Sequence, residues 1–144
     1  MNMKWDKRFM NIAKEVSTWS KDPSTSIGAV CVKDKLIIST GYNGFPSSIA
    51  DDSRLLDRET KYLYVVHAEL NCILNAVKNG ITGVSGSTLY VYGLPPCCDC
   101  TKAIIQSGIS RVVYSSEEIP EKWQESFKHS MNMFNEAKIA VDKI

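Results

Sequence analysis

Two short segments of the chain bring together residue types that can do chemistry: His67-Ala68-Glu69 and Pro96-Cys97-Cys98-Asp99-Cys100. Each stands where irregular chain runs into a helical pattern, so each places its side chains at a helix start. Partial positive charge and unpaired N–H groups there lower thiol pKa values and favour thiolates. Cys97 and Cys100, three apart in a first turn, can aim two sulfurs at one ion, and His67 can add a nitrogen. Three protein ligands leave the fourth tetrahedral position of Zn²⁺ open, the pattern of a catalytic rather than a structural site. Two thiolates cancel the formal charge of the ion, which makes a nearby base more useful for activating water. Glu69, at the same helix start as His67, is placed to take a proton from the attacking water and hand it to a substrate ring nitrogen. The expected cofactor is one catalytic Zn²⁺ per subunit.

Other uses of these residues are less economical. A closed structural zinc site needs a fourth ligand, for which Cys98 and Cys72 are candidates. Cys98, adjacent to Cys97, points about 100° away round a helix and suits the same ion poorly. A dithiol redox motif would use Cys97 and Cys100 but leave His67 and Glu69 idle. Five cysteines, three of them crowded together, do not describe a disulfide framework. Cys31 and Cys72 lie among apolar neighbours and read as inert core.

The rest of the chain must position those two segments. Trp5, Phe9, Ile12, Ala13, Val16 and Trp19 fall at helical spacing, with Asp22-Pro23-Ser24 as a break. Residues 27–32 and 36–42 are apolar runs joined by Lys33-Asp34-Lys35, a hairpin pattern. From Asn43 to about Lys61 the chain is polar and reads as a long loop. Helical patterns follow at 67–79, 97–107 and 121–137, strand patterns at 88–92 and 111–114, and a short apolar tail from Ile139 offers a last strand. The order α-β-β-α-β-α-β-α(-β) predicts an α/β protein with helices packed on a mixed central sheet of about five strands.

Length and composition set the frame. A chain of 144 residues is one domain's worth and can bury a sizeable core, so 1–144 is read as a single domain. Seventeen basic and sixteen acidic residues leave a net charge of +1, too balanced for a protein that neutralises many phosphates. Nucleic acid is therefore not the expected partner, although a small phosphorylated ligand needs only a few donors. No apolar run is long enough for a membrane span, and the segment Met1 to Lys7 lacks the apolar stretch of a secretory signal. A cytoplasmic location is the simplest reading.

The spacing H-x-E…P-C-x-x-C is the signature of zinc deaminases of nucleobases. At these residues the chain closely resembles the deoxycytidylate (dCMP) deaminase family, within the cytidine deaminase-like superfamily. The likeness runs from about Trp5 to Tyr114 and includes Trp19-Ser20-Lys21-Asp22-Pro23-Ser24-Thr25, Gly28-Ala29-Val30 and Gly41-Tyr42-Asn43-Gly44-Phe45-Pro46. It also takes in Leu70-Asn71 after the His-Ala-Glu triplet, and Ile104 to Ile109. The resemblance implies a three-layer α/β/α cytidine deaminase-like fold and hydrolysis of dCMP to dUMP and ammonia, which would supply dUMP for thymidylate synthesis.

Carried over by position, His67, Cys97 and Cys100 hold zinc and Glu69 is the acid/base. Asn43 contacts the sugar and the backbone of Ala68 helps to hold the pyrimidine; Asn43 before Gly44 also fits a tight turn, and the two roles can coexist. Ser24, Thr25, Lys21 and Tyr114 are candidate phosphate donors. The aromatic stripe of Trp5, Phe9 and Trp19 reads as packing, and His129 as a surface or capping residue. Relatives form homo-oligomers, often hexamers, and some respond to dCTP and dTTP, which makes both nucleotides candidate effectors. Those regulated members commonly carry a glycine-containing pair where this chain has Ser47-Ser48, and Pro95 stands where many carry a larger residue. Cytidine or a 5-substituted dCMP as substrate, an RNA or single-stranded DNA base, and a non-catalytic nucleotide-binding role are the rival readings; a pure binder would not need Glu69.

Overall fold

A computed structural model describes residues 3–81 and 83–144; Met1, Asn2 and Thr82 lie outside the described residues. The first amphipathic segment forms α1 (Met3–Ser17), whose buried face carries Phe9, Met10, Ala13 and Val16. Trp5 stacks on Phe9 as expected, whereas Trp19 lies past the end of the helix, half exposed, edge-on to Tyr42. The two apolar runs form β1 (Gly28–Lys33) and β2 (Leu36–Tyr42), paired antiparallel. Asp34 and Lys35 between them both adopt positive φ, 52° and 62°. Two such residues in succession make the mirror-image turn whose twist matches a two-residue hairpin.

The polar segment after β2 is not irregular throughout. It contains a 3-10 turn, Ser53–Leu56, and a seven-residue helix, α2 (Arg58–Tyr64). Lys61 is the buried residue of α2, so no apolar stripe announces the helix in the sequence. The remaining elements are α3 (Ala68–Lys78), β3 (Thr88–Gly93), α4 (Cys98–Gln106), β4 (Arg111–Ser116), α5 (Glu121–Glu136) and β5 (Ala140–Lys143). Their sheet order is β2-β1-β3-β4-β5, antiparallel up to β3 and parallel from β3 to β5.

Alternation along the strands sorts the core into two sides. Val30, Val32, Tyr90 and Val113 pack against α1. Ala29, Cys31, Leu89, Val91 and Val112 face the other way, onto Ala68, Cys72, Ile104 and Phe134 of α3, α4 and α5. The result is the three-layer α/β/α fold with a mixed five-stranded sheet that the sequence implied. Cys31 and Cys72 are fully buried, and burial pushes both thiols up, Cys72 to about 12, which leaves them inert.

Two features fix where α3 begins. A Cβ on Gly41 would lie 2.3 Å from the Cys72 nitrogen and 2.6 Å from the Ala68 oxygen, so glycine is what lets α3 lie directly on the edge strand β2. Asn71 and Asn75, one helical turn apart, each donate an Nδ2–H bond of 2.8 Å to β2, at the carbonyls of Tyr42 and Thr40. They set the rotation of the helix and cover part of the sheet edge.

On the opposite side a polar staple holds α1 to the sheet. Arg111 grips both carboxylate oxygens of buried Asp6 at 2.9 Å and donates through Nε to Asp142 at 3.0 Å, while Tyr90 donates to Asp6 at 2.7 Å. The Arg111 bonds hold Asp6 below the usual carboxylate range. A carboxyl whose folded pKa is depressed contributes stability that is complete above its unfolded pKa and is lost as pH falls through the folded value. Arg111→Met is expected to destabilise the fold by about 3 kcal/mol, because it strands a buried carboxylate. Urea unfolding across pH 7 to 2 checks this, and Asp6→Asn should flatten the acid limb of the wild-type curve.

Candidate metal centre and active-site cavity

His67 is the N-cap of α3 and Cys97 the N-cap of α4, both in extended backbone geometry with ψ of 155° and 173°. The two helices pack beside each other on one face of the sheet, so both starts open onto one place. His67 Nδ1 lies 3.4 Å from Cys97 Sγ and 3.5 Å from Cys100 Sγ, and the three donor atoms are all within 4.8 Å of one another. Tetrahedral bonds of about 2.0 Å to nitrogen and about 2.3 Å to sulfur place N and S about 3.5 Å apart. The donor set therefore already has zinc spacing. Both proposed fourth ligands fall away: Cys72 is sealed in the core beside Ser39, and Cys98 stands outside the cluster, with its backbone N–H given to Ser126 Oγ of α5 at 2.9 Å.

Electrostatics make the cluster ready for a cation. A hydrogen bond from Cys100, and then one with His67, lower Cys97 to about 4. Cys100 is pushed up because its S–H bonds to Cys97 and because it is buried. His67 is raised by its bond with the Cys97 thiolate. The cluster thus favours a thiolate at Cys97, and metal binding releases the protons that remain on its ligands.

Glu69, in the first turn of α3 and 4% exposed, faces the same cavity. Burial pushes its carboxyl up to about 7, against the opposing pull of His67. A carboxyl poised near neutrality can both accept and return a proton. The cavity has an open volume of about 870 Å³, mouth included, and His67, Ala68, Glu69 and Cys97 line it.

Of the other residues expected at the site, Ser24, Thr25 and Asn43 are on the cavity wall. Asn43 is buried; its Oδ1 accepts from the Ile27 N–H at 2.9 Å and its Nδ2 donates to the Thr25 carbonyl at 2.8 Å. It holds the irregular segment, Thr25 to Ile27, that leads into β1. Gly44 pairs in a β-bridge with Val66, the residue before His67, instead of closing a tight turn.

Lys21 and Tyr114 are elsewhere, which corrects their expected phosphate role. Lys21 turns outward to Asp51 at 3.1 Å with its side chain 71% exposed, while its neighbour Asp22 turns inward. Asp22 Oδ1 accepts from the Ser24 and Thr25 N–H groups and from Lys61 Nζ at 3.2 Å, so it is Asp22 that shapes this loop. Tyr114 points into the core under α5, its ring 5.8 Å from that of Phe127, and burial raises its phenol.

Sequence reasoning missed Arg58, Lys61, Tyr62, Lys122 and Trp123, which line the outer cavity. The i, i+3, i+4 spacing of Arg58, Lys61 and Tyr62 was the available signal for one helix face; no motif marks Lys122 or Trp123. His129 is exposed and pairs with Glu125 at 3.1 Å, as a surface residue.

With the geometry in hand, comparison with known proteins places the chain. The family described as the cytidine and deoxycytidylate deaminase zinc-binding region matches residues 3–116. The chain belongs to this family. Among similar members, an uncharacterized deaminase from the luxG 3′ region of Aliivibrio fischeri is 41% identical over 143 residues, covering 98% of this chain and 94% of that protein. The human deoxycytidylate deaminase is 42% identical over 123 residues, covering 81% and 67%. Among solved structures, the cyanophage S-TIM5 dCMP deaminase in complex with dCMP and dUMP superposes with a TM-score of 0.82 at 26% identity, covering 100% of this chain and 99% of that one. The family match ends before α5, so this member's last helix and strand lie beyond it.

The residues present fit a catalytic zinc ion. Cys97→Ala is expected to reduce bound zinc from about one ion per chain to roughly a tenth or less, because two ligands do not hold a structured site. Cys98→Ala should keep the full complement. Metal analysis of the purified variants checks both.

Proposed function

We propose that the chain catalyses the zinc-dependent hydrolytic deamination of dCMP to dUMP and ammonia, supplying dUMP for thymidylate synthesis. One observation carries the reading: His67, Cys97 and Cys100 stand at zinc spacing with Glu69 buried beside them in one cavity. A bound Zn²⁺ supplies Lewis acidity toward water at neutral pH. Glu69 takes a proton from the water that attacks C4 of the pyrimidine and delivers it to N3. It passes the second proton to the amino group, so nitrogen leaves as ammonia and the ring oxygen comes from water. Burial that lifts Glu69 toward neutrality suits it to carry protons in both directions. The Ala68 backbone at the start of α3 holds the ring, and Asn43, Ser24 and Thr25 line the sugar side.

Support for dCMP as substrate comes from the relatives named deoxycytidylate deaminase and from the cyanophage enzyme solved with dCMP and dUMP. The same reading takes the chain as a single domain that works as a cytoplasmic homo-oligomer open to dCTP and dTTP. Exposed Leu74 and Val77 on α3, with Ile81 just beyond it, offer an apolar face for assembly. No helix among the described residues is long and apolar enough to cross a membrane.

Glu69→Gln keeps the shape of the side chain and removes its proton chemistry. The variant is expected to retain zinc and to lose about 10³-fold or more in kcat for dCMP, near the upper reach of general acid–base catalysis. Ammonia release with chromatography of dUMP reads the outcome; activity within about tenfold of wild type would remove Glu69 from the mechanism.

A further inference from the structure

The N-cap of α4 has two duties that one side chain cannot perform well together. A helix start leaves its first N–H groups without intrahelical partners, and Ser, Thr, Asp or Asn usually supplies the missing acceptor. Here the cap is Cys97, whose sulfur belongs to the metal cluster and accepts the Cys100 N–H at the long distance of 3.5 Å. The first N–H of α4, that of Cys98, is met from another helix: it donates to Ser126 Oγ of α5 at 2.9 Å. One turn along α5, fully buried Ser130 donates through Oγ to the carbonyl of buried Pro96, also at 2.9 Å.

These two bonds hold the peptide groups on either side of the Cys97 α-carbon. The Pro96 carbonyl belongs to the peptide plane before it and the Cys98 N–H to the plane after it. Planar peptides leave each residue φ and ψ as its soft dihedrals, so holding both planes fixes both angles. The direction of the Cys97 Cα–Cβ bond is then set by α5, and only a side-chain torsion remains to aim the sulfur. Helix α5 can act as an anchor because it is itself fastened. Phe134 is 1% exposed in the core, and the Phe127 ring packs 5.8 Å from that of Tyr114 on β4. Serine is a middling helix former, and inside a helix its hydroxyl often turns back onto the preceding turn. Both of these hydroxyls reach across to the metal loop instead.

We propose that Ser126 and Ser130 are positioning residues of the metal centre, which hold both peptide planes at Cys97 and thereby slow the loss of the ion. The assignment rests on the zinc-deaminase reading of the cluster. Groups that orient metal ligands typically change metal affinity or activity by about 10–100-fold when they are removed. Both serines lie beyond residue 116, so the metal loop of this member depends on a segment outside the family match. Trp123 and Phe127 of the same helix line the cavity, so one element holds the metal loop and forms part of the wall in front of it.

The test is the rate at which the zinc-loaded full chain gives up its ion to a colorimetric chelator near neutral pH. Ser126→Thr and Ser126→Val have nearly the same shape and differ in the hydroxyl, so the pair separates the hydrogen bond from packing. Ser107→Ala serves as control, because it removes a 2.8 Å hydroxyl bond to the Ile104 carbonyl at the far end of the same helix α4. Ser126→Val and Ser130→Ala are expected to release zinc about tenfold or more faster than wild type, with Ser126→Thr and Ser107→Ala within about threefold of it. In excess zinc, kcat for dCMP should fall in the same order while KM stays within about twofold. Release from Ser126→Val as slow as from Ser126→Thr overturns the clasp, and so does release from Ser107→Ala as fast as from Ser126→Val. If Ser130→Ala does not fold, the Ser126 pair decides alone. A wild type that keeps its zinc but turns over no dCMP defeats the deaminase reading, while the release rates still decide the clasp.

Discussion

The contact on which the rest depends is the meeting of two helix starts at the Cys97 thiolate, 3.4 Å from His67 Nδ1. A thiolate, a histidine and a second cysteine held this close are costly without a cation, and only rigid neighbours keep them there. On the α3 side, the close approach at Gly41 and the Asn71 and Asn75 bonds to the edge strand fix where His67 emerges. The Gly44–Val66 bridge pins the residue just before it. On the α4 side the brace comes from α5. Ser126 accepts from the Cys98 N–H and Ser130 donates to the Pro96 carbonyl, each at 2.9 Å, so two serines one turn apart clasp the residues on either side of Cys97. A segment beyond the family match thus holds the metal loop in place.

Placing a site at the edge of a packed core also sets its chemistry. The burial that makes α3 rigid is what lifts the Glu69 carboxyl toward neutrality and turns a core penalty into a proton carrier. A second buried charge, Lys61, is tolerated because Asp22 faces it and because Asp22 also caps the loop through two backbone N–H groups. Breaking that pair would leave a lone buried charge under the substrate cavity. The opposite face of the sheet, tied by Asp6, Tyr90 and Arg111, lies away from the cavity and fastens α1 to β3 and β4.

What was legible in the sequence follows from the physics of each element. Strands announce themselves as short apolar runs between breaks and helices by an apolar stripe, and among the described residues the five strands and four of the five helices were readable that way. The metal ligands were readable because zinc demands fixed residue types at fixed spacing. Helix α2 was not, because its seven residues bury only Lys61 and its polar composition matches a loop. The outer cavity depends on that helix and on α5 crossing in space, a long-range fact with no local pattern. Lys21 and Tyr114 failed for a related reason: polar type says nothing of direction, and a one-residue offset turned Asp22 inward and Lys21 to solvent.

The most direct test of the account is the coordination shell of the bound metal, read by X-ray absorption at the zinc edge on the purified protein. The expected spectrum has two sulfurs at about 2.3 Å and one imidazole nitrogen near about 2.0 Å, with the fourth position filled by a light atom. A third sulfur in the shell would bring Cys98 or Cys72 to the ion, close the site to water and contradict a catalytic centre built on His67, Cys97, Cys100 and Glu69.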